Sequence, residues 1–478
     1  MGECHCSKAT TRLAPFRFSL PELLPPIFGR FTKESSGLNA GKRGRDMLQI
    51  GINVWSASLS GTMPQSMAQV ILASEPNGLA IGADGSMSIK DVSTPSNNMN
   101  GDITEKFSAY PSTKWLIGEN GLYSSGTNLR PEYNASGSIL GLRVEGQRTN
   151  LALRSQEINN GSWTRNRLST VTTDAITAPD GALTAEKIVE DTTSGQHYVQ
   201  QVITTVASSV YTASAFFKAG ERSVAIIASD GFRANFNLTN GTVSETAGSP
   251  IASSITPVGN GWYLCALTFA AADTSQNFQL ATCNAPTGFS YLGDGVSGLH
   301  IWQAQYELGV AVSSPIPTTS AQVTRSADDL TLATSLFGFS STEGSLCATF
   351  RPSDISSECR AVQLDDGTEN ERFSLGNDSS GAGMLAVVDG GAGQTGPLTA
   401  GTVNTTDHEE LAASWGTDDF KLSSDGGAAS VDTAGSLPTV TTLRLGCGNS
   451  FVSPLNGHLK RLMILPRKMS AAELQSWP

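Results

Sequence analysis

Gly141-Leu-Arg-Val-Glu-Gly-Gln-Arg-Thr-Asn-Leu151, which runs on to Asn159-Asn-Gly-Ser-Trp163, opens the clearly folded part of this chain. Its apolar residues Leu142, Val144 and Leu151 stand among charged and amide residues. This alternation predicts a strand with one face toward a core and the other toward water. The sequence before this stretch has too few apolar runs to form one obvious globule. The sequence after it reads as two β-rich units of ordinary domain size, so a new domain is expected to begin here.

The composition of the chain favours strands and turns over helices. Its 478 residues predict a protein of several domains. Glycine occurs 49 times and charged residues make up 15% of the chain, while long runs of Leu, Lys, Glu and Ala are scarce. We therefore expect a mainly β protein of antiparallel β-sandwiches behind an extended N-terminal anchor.

Charge is unevenly distributed along the chain. The formal net charge of −12 argues against a general nucleic-acid binder, because such a protein needs a basic face. Residues 1–46 are nevertheless locally basic and carry four prolines among apolar side chains, which predicts an extended anchor that docks to a partner. A solvated flexible tail and a wrongly assigned start, with Met47 as the true first residue, are alternative interpretations.

The seven cysteines are scattered and show no repeated zinc-ligand spacing. They are expected to be reduced and mostly buried, as in a protein made in a reducing cytoplasm. The ligands of Cys4-His5-Cys6 are adjacent rather than spaced for a tetrahedral site, so no zinc is predicted there. No apolar run is long enough to span a bilayer and the first residues lack a signal-peptide pattern. Neither membrane insertion nor signal-directed secretion is expected.

Turn signals and strand patterns divide the chain into four segments. Residues 1–46 are the predicted anchor, and residues 47–140 form a small β connector with Pro-Asn-Gly and Asp-Gly turns between short strands. Residues 141–330 carry regularly spaced strands, and residues 331–478 form the last unit. The spacing within the third segment is typical of an antiparallel sandwich or jelly roll, with strands at 196–206, 209–219, 223–229, 234–238, 261–269, 278–282 and 298–307.

A series of short motifs makes the third segment resemble a known module. The motifs are, in order, Arg148-Thr-Asn-Leu, Trp163, Ala178-Pro-Asp-Gly-Ala-Leu-Thr-Ala-Glu-Lys-Ile, Lys218-Ala-Gly-Glu-Arg, Leu299-His-Ile-Trp-Gln-Ala-Gln-Tyr-Glu, Pro315-Ile-Pro-Thr-Thr and Val323-Thr-Arg. They resemble the jelly-roll module of bacteriophage virion and tail-fibre proteins, a module that is similar to carbohydrate-binding modules. The resemblance runs through nearly all of residues 141–330.

The last segment resembles a laminin G-like, concanavalin A-like sandwich. The resemblance lies in strand-like stretches that include Gly344-Ser-Leu-Cys-Ala-Thr-Phe and Leu455-Asn-Gly-His-Leu-Lys-Arg-Leu-Met-Ile. It also lies in the closing Pro466-Arg-Lys-Met-Ser-Ala-Ala-Glu-Leu. There, Ser470-Ala-Ala-Glu473 predicts a capping box at the start of a short terminal helix.

No pattern of catalytic residues is present, so the chain is not expected to be an enzyme. Glycan-cleaving enzymes with a concanavalin-like fold resemble one another in carrying Glu-x-Asp-x-x-Glu on one strand, and this chain lacks that motif. Its nearest acidic cluster, Asp365-Asp-Gly-Thr-Glu-Asn-Glu371, is predicted to be a hairpin turn with solvated carboxylates. The five histidines are widely separated, and His408 and His458 are expected to have structural roles. Nucleophile-elbow and phosphate-loop motifs are also missing.

Sugar binding is the function for which candidate residues exist. Exposed aromatic rings stack on the apolar faces of sugars beside a polar rim, and the candidate ligand-binding residues are Trp163, Tyr198 and Tyr291. The other tryptophans at 262, 302 and 415 lie in apolar strand patterns and are predicted to be core. Asp294, in a Gly-rich loop that in related jelly rolls could coordinate calcium, is a candidate structural metal ligand, although calcium takes six to eight oxygens. No other cofactor is expected.

The resemblance implies a phage virion structural protein, a tail fibre or spike, that attaches the particle and binds host surface glycans. Its expected partners are other virion proteins through residues 1–46, host surface polysaccharide and two further copies in a homotrimer. Its expected location is the virion, after synthesis in the host cytoplasm. Two alternatives stay open. One is a capsid head fibre or decoration protein that binds no sugar, and the other is a glycan depolymerase with a carboxylate pair shared between subunits.

Overall fold

The computed structural model describes residues 78–83, 86–90, 99–396 and 398–477, and these residues belong to one compact unit. The predicted anchor at residues 1–46, with Cys4-His5-Cys6, and the first predicted strands of the connector lie outside the described residues.

The first described strands are short. Asp102 caps a single 3-10 turn, Ile103–Glu105, by accepting a hydrogen bond from the amide N–H of Thr104 at 2.8 Å. The strands of this part are β1 (Gly78–Ile81), β2 (Ser86–Lys90), β3 (Met99–Asp102), β4 (Lys114–Ile117), β5 (Tyr123–Gly126), β6 (Pro131–Tyr133), β7 (Ile139–Val144) and β8 (Arg148–Asn150).

Longer strands follow and make up the jelly roll. They are β9 (Thr164–Asn166), β10 (Leu168–Thr177), β11 (Leu183–Glu190), β12 (Ser194–Gly195), β13 (His197–Thr204), β14 (Val210–Ala219), β15 (Val224–Ser229), β16 (Phe232–Asn237), β17 (Thr242–Ala247), β18 (Ala252–Gly259), β19 (Trp262–Ala270), β20 (Ser275–Cys283), β21 (Tyr291–Leu292), β22 (Gly298–Leu308) and β23 (Val323–Arg325).

The last part of the chain is again almost entirely strand. It ends in one short helix, α1 (Ala471–Gln475), and contains 3-10 turns at Thr334–Leu336 and Asn449–Phe451. The strands are β24 (Thr331–Ala333), β25 (Glu343–Arg351), β26 (Cys359–Asp365), β27 (Arg372–Asn377), β28 (Gly383–Asp389), β29 (Ala392–Gly393), β30 (Leu398–Ala400), β31 (Glu409–Gly416), β32 (Asp419–Ser424), β33 (Ser430–Asp432), β34 (Thr442–Leu445) and β35 (Gly457–Leu465).

The jelly roll consists of two antiparallel sheets that enclose one apolar core. One sheet has the order β10-β11-β22-β14-β19-β18 and the other has the order β17-β16-β15-β20-β13-β9. The strands predicted from the sequence between 196 and 307 are confirmed to within a few residues. Inward residues of both sheets, among them Phe217, Ile227, Phe278 and Tyr306, are buried together. Burial of such apolar surface is the main force holding the two sheets face to face.

The C-terminal sandwich recruits strands from the start of the described chain. One sheet has the order β24-β34-β26-β27-β28-β29, with β30 also paired to β28. The opposite sheet has the order β3-β2-β1-β35-β25-β31-β32-β33, and β7, with β6 beside it, also pairs with β35. Leu142 and Val144 of β7 are buried in this sandwich. The predicted domain boundaries stay a prediction, but the pairing places strands of the predicted connector in a sheet of the last segment.

Gly141 allows β7 to lie close to β35. Its φ is +112°, and a Cβ atom there would lie 2.5 Å from the carbonyl oxygen of Leu459. Residues with a side chain rarely adopt this φ, and the space for one is filled by backbone. The glycine that begins the quoted stretch is therefore required by the contact between two distant parts of the chain.

The two ends of the jelly-roll segment are tied together by β8 and β23. Thr149 pairs with Thr324 and Arg148 with Arg325. Asn150 is fully buried, and its Nδ2 group donates to the carbonyl oxygens of Ala304 and Ile316 at 3.0 and 2.8 Å. The Arg148-Thr-Asn and Val323-Thr-Arg motifs therefore form one closing element of the fold.

A buried cluster of charges lies where the connector, the jelly roll and the C-terminal sandwich meet. Lys114, from β4, forms ion pairs with Asp328 and, at 3.4 Å, with Glu145. Glu145 also pairs with Arg143 at 2.8 Å and with Arg325 at 3.5 Å. Burial raises the pKa of Asp328, whereas the three cations outweigh burial at Glu145 and hold its pKa well below its usual range. Buried charges of this kind persist when they are paired.

The fold class predicted from the sequence is confirmed: the protein is mainly β and built from antiparallel β-sandwiches. The capping box is confirmed as well, since Ser470 Oγ accepts from the amide of Glu473 and the Glu473 carboxylate accepts from the amide of Ser470 at 2.7 Å. The cysteines of the described residues are all free and buried, at positions 265, 283, 347, 359 and 447.

Candidate functional site

Two of the three predicted aromatic ligand contacts lie inside the jelly roll. Trp163 is 2% exposed, packs on Phe278, and donates its indole N–H to the carbonyl oxygen of Arg154 at 3.2 Å. Tyr291 is 8% exposed and donates its hydroxyl to Glu190 at 2.5 Å. Neither ring is presented to solvent for stacking in this conformation.

Tyr198, the third predicted contact, lies at the surface of the jelly roll. Side chains along β13 alternate, so Val199 and Ile203 enter the core while Tyr198 and Gln200 face outward. The Tyr198 ring is partly buried beside Phe289, with the ring centroids 6.3 Å apart. This contact limits the motion of the tyrosine ring and leaves part of it in contact with water.

Amide side chains lie next to Tyr198 on the same outer face. Gln200 is opposite Gln279 on β20, and the Gln279 Nε2 group donates to Gln200 Oε1 at 3.1 Å. Within the described residues the Nε2 group of Gln200 makes no hydrogen bond, so it can donate to a ligand. An aromatic ring and directional amide groups are therefore side by side on this face.

A cavity of about 380 Å³ lies beside Gln200, which pairs with Thr164, the first residue of β9. Beyond this pair the edge of β13 is unpaired among the described residues. We call the cavity the neutral hollow, because none of the side chains that line it carries a charge. Gln201 forms one wall by holding the backbone of Leu153, accepting from its N–H at 2.7 Å and donating to its carbonyl at 2.8 Å. Other lining residues are Leu151, Ser162, Thr164, Val202, Thr204 and Gln322.

Asp294 is bonded to its own loop and to an arginine. Its carboxylate accepts from the amides of Val296 and Ser297 at 2.9 and 2.7 Å, from the Ser297 hydroxyl at 2.6 Å and from Arg222 at 3.1 Å. These hydrogen bonds hold the pKa of Asp294 below its usual range. Within the described residues no group of three or more His, Cys, Asp or Glu side chains is placed to hold a metal ion. Calcium at Asp294 stays a prediction, and a carboxylate already bonded to arginine fits it poorly.

The acidic cluster of the C-terminal sandwich is a turn between β26 and β27. Asp365 is buried and accepts from Arg444 at 2.7 Å, Glu369 pairs with Arg360 at 2.6 Å, and Glu371 accepts from the amide of Gly390 at 2.7 Å. Each carboxylate therefore has a structural partner.

The two histidines of the C-terminal sandwich join it to the strands before the jelly roll. His458 Nε2 lies 2.7 Å from Glu132, and His408 Nε2 lies 2.8 Å from the carbonyl oxygen of Leu140. Both are bonded to β6, β7 or the turn between them, which agrees with the structural roles expected from the sequence.

The amide residues of the site were missed by the sequence reasoning, which searched for aromatic rings. Gln200, Gln279 and Gln322 carry no motif, and their positions become meaningful only once β13 and β20 are paired in register. The only sequence signal was that Gln200 occupies an outward position in the alternating pattern of β13.

Comparisons with known proteins find only weak structural likeness. No family model matches the sequence and no curated protein matches it significantly. Among solved structures it is similar to the CBM40 module of the Ruminococcus gnavus IT-sialidase bound to alpha2,3 sialyllactose, with 16% identity, a TM-score of 0.26, and coverage of 29% of this chain and 82% of that one.

Further solved structures show a likeness of the same level. Domain 4 of the GH43 extracellular arabinanase AbnA from Geobacillus stearothermophilus, in complex with arabinotriose, matches with 17% identity and a TM-score of 0.25 over 31% of this chain and 71% of that one. The heptameric SAP-like pentraxin of Limulus polyphemus matches with 8% identity and a TM-score of 0.21 over 28% of this chain and 68% of that one. Scores of this size carry no statement about what this chain binds.

Proposed function

We propose that the chain is a bacteriophage virion protein, a tail fibre or spike, that attaches the particle to its host by binding surface glycans. The observation that carries the glycan part is the neutral hollow with the unbonded Nε2 group of Gln200 in its lining, while the half-exposed Tyr198 ring lies two residues away on the same outer face of β13. The virion part is supported by the sequence motifs of residues 148–325. Binding at several copies of a weak site, as in a homotrimer, would raise avidity on one particle.

The chemistry of the neutral hollow suits an uncharged sugar. A sugar offers hydroxyl groups to the amides and hydroxyls of Gln200, Thr164 and Gln322 in the hollow and an apolar ring face to Tyr198 beside it. The cavity volume of about 380 Å³ lies in the range of small-molecule sites. A lining without charge involves no desolvation of an ion, so a neutral ligand is favoured.

Glycan binding is tested with the purified full chain on an array of host-surface oligosaccharides. Tyr198→Ala should weaken binding by about tenfold or more because it removes the stacking surface, whereas Tyr198→Phe keeps the ring and should bind nearly as well. Gln200→Ala should weaken binding as well. Equal binding by wild type and Tyr198→Ala, with the fold intact by circular dichroism, would place any sugar elsewhere.

The virion role is tested by labelling the C-terminal sandwich and imaging intact particles by electron microscopy. Label at the tail tip supports attachment, and label spread over the capsid supports a head fibre or decoration protein. The same protein should leave host polysaccharide at its original length. Shortening of the polysaccharide, lost in Asp365→Asn, Glu369→Gln or Glu371→Gln, would support the depolymerase instead.

A further inference from the structure

A second and larger cavity, of about 470 Å³, opens at the junction between the jelly roll and the C-terminal sandwich. We call it the junction cleft. It is lined by the exposed side chains of Ser254 and Thr256 on edge strand β18, by Tyr133 of β6, and by Arg351 and His458 of the sandwich. Unlike the neutral hollow, it contains charged groups, and their pairing decides what the cleft can bind.

Two charges in the cleft cancel each other. Arg143 lies 3.2 Å from Glu132, and it also contacts Glu145 at 2.8 Å and donates to the carbonyl oxygen of Val312 at 3.2 Å. Arg143, together with the bond from His458, lowers the pKa of Glu132 to about 2 in spite of burial. This arginine and this glutamate are therefore both ionised and both engaged.

His458 contributes no charge to the cleft. Its Nδ1 atom lies 3.3 Å from a guanidinium nitrogen of Arg351, which can only donate, so Nδ1 must accept. The proton of the neutral ring is then on Nε2, which donates to Glu132 at 2.7 Å. Burial lowers the pKa of His458, which agrees with a neutral ring.

Arg351 is the second cation of the cleft, and it lacks a salt bridge within the described residues. Its guanidinium contacts the carbonyl oxygen of Thr406 at a long 3.4 Å and the ring of His458, and within the described residues it forms no salt bridge. Burial and the nearby Arg143 lower the pKa of Arg351. Glu132 and Asp407 act on this guanidinium only from beyond salt-bridge distance. A half-buried guanidinium without a paired carboxylate is an unfavourable arrangement that a bound anion would relieve.

We propose that the junction cleft binds a sugar that carries a carboxylate, with Arg351 as its anion-binding residue. A guanidinium pairs with a carboxylate through two parallel N–H···O bonds, which are stronger than bonds between neutral groups. Ser254 and Thr256, whose side chains are exposed, supply hydroxyl groups for the rest of the ring. This site is separate from the neutral hollow and selects ligands by charge, which the hollow cannot do.

The test compares D-glucuronate with D-glucuronamide, a neutral analogue of nearly the same shape, by saturation-transfer NMR on the full chain. The wild type should bind glucuronate about tenfold or more tightly than the amide. Arg351→Gln should abolish this preference. Arg351→Lys keeps the positive charge but loses the paired N–H donors of the guanidinium, so it should retain part of the preference. Arg165→Gln removes an exposed arginine elsewhere on the jelly roll and should change nothing.

Three results would overturn the proposal. One is equal binding of glucuronate and glucuronamide, and another is an unchanged preference in a folded Arg351→Gln protein. The third is the absence of glucuronate binding up to about 10 mM at low salt. Because Tyr198→Ala leaves the junction cleft intact, loss of sugar binding at the neutral hollow and loss of glucuronate binding at the cleft are separate outcomes.

Discussion

The neutral hollow and the junction cleft show two ways of building a polar cavity from β-strands. The hollow lies at one sheet edge of the jelly roll and is lined by amides, hydroxyls and apolar groups. The cleft lies where strands from distant parts of the chain meet, and its charges are linked to the buried cluster around Lys114 through Arg143 and Glu145. The first needs only segments of the jelly roll, at residues 151–164, 200–204 and 322. The second exists only after the whole unit has assembled.

The largest expected effect comes from breaking the buried ions that support the cleft. Lys114→Met leaves Asp328 and Glu145 short of a partner and should reduce the free energy of unfolding by about 3–5 kcal/mol in urea denaturation. Lys187→Met is the matched control, because Lys187 pairs with a half-exposed Glu221 and should cost less than about 1 kcal/mol. Similar losses in the two variants would show that the buried cluster is not essential to the fold.

The neutral hollow should be sensitive to the loss of the two hydrogen bonds between Gln201 and Leu153, rather than to the loss of a charge. Gln201→Met keeps the volume but leaves the N–H and carbonyl groups of Leu153 unpaired, which should cost about 1–3 kcal/mol. Sugar binding at the hollow should weaken at the same time, and glucuronate binding at the cleft should not. A variant with normal stability would mean that water replaces the amide at Leu153.

Acid should affect the junction before it affects the hollow. Burial lowers the pKa of His408 to about 4, so below pH 6.5 the unfolded chain takes up a proton that the folded chain resists, and stability is lost as pH falls from 6.5 toward 4. Glu186 and Glu409 act in the opposite direction, because burial raises the pKa of each carboxylate to about 7. Their contribution makes the folded protein less stable as pH rises.

The contribution of His408 to the pH dependence of stability is therefore measured by comparing the wild type with one variant. His408→Gln keeps a donor for the carbonyl oxygen of Leu140 and removes the titration. Between pH 7.5 and 5 the wild type should lose about 1 kcal/mol relative to the variant, allowing for partial exposure of the ring. Parallel pH curves of unfolding free energy would exclude His408 as the cause.

The smallest effect should be that of salt on ligand binding. Raising NaCl from about 0.05 to 0.5 M should weaken glucuronate binding at the cleft by roughly twofold to fivefold, because Arg351 is only half buried. Binding of a neutral sugar at the hollow should stay unchanged. Equal salt dependence at both sites would remove the distinction between them.

Much of the fold could be predicted from alternation and turn residues. The buried strands of the jelly roll and the capping box of α1 were found, whereas β10 (Leu168–Thr177) was missed because most of its side chains are exposed and carry no alternating pattern. The pairing of β7 with β35 was also missed. Periodicity places Leu142 and Val144 against a core, but nothing in one sequence says that the core belongs to a segment more than 300 residues away.

The candidate sites were less predictable for a related reason. Aromatic rings were sought, and Trp163 and Tyr291 have the right chemistry but lie in the core. Arg351 has no motif, and its significance depends on which carboxylates are near it in space. Composition shows which kinds of side chain the chain contains. The register of the paired strands determines which of those side chains have a hydrogen-bond or ion-pair partner.

The position of β35 also sets the order in which the chain can fold as it is made. This strand is the shared neighbour of β1, β7 and β25. At a synthesis rate of about 5–20 residues per second, roughly 15–60 s separate the emergence of β7 from that of β35. The strands of the jelly roll emerge within that interval and pair with one another in sheets that do not contain β35, while β1 and β7 lack their neighbour until β35 emerges. We therefore expect the jelly roll to assemble before the C-terminal sandwich, and chains that stall before β35 to expose the unpaired edges of β1 and β7.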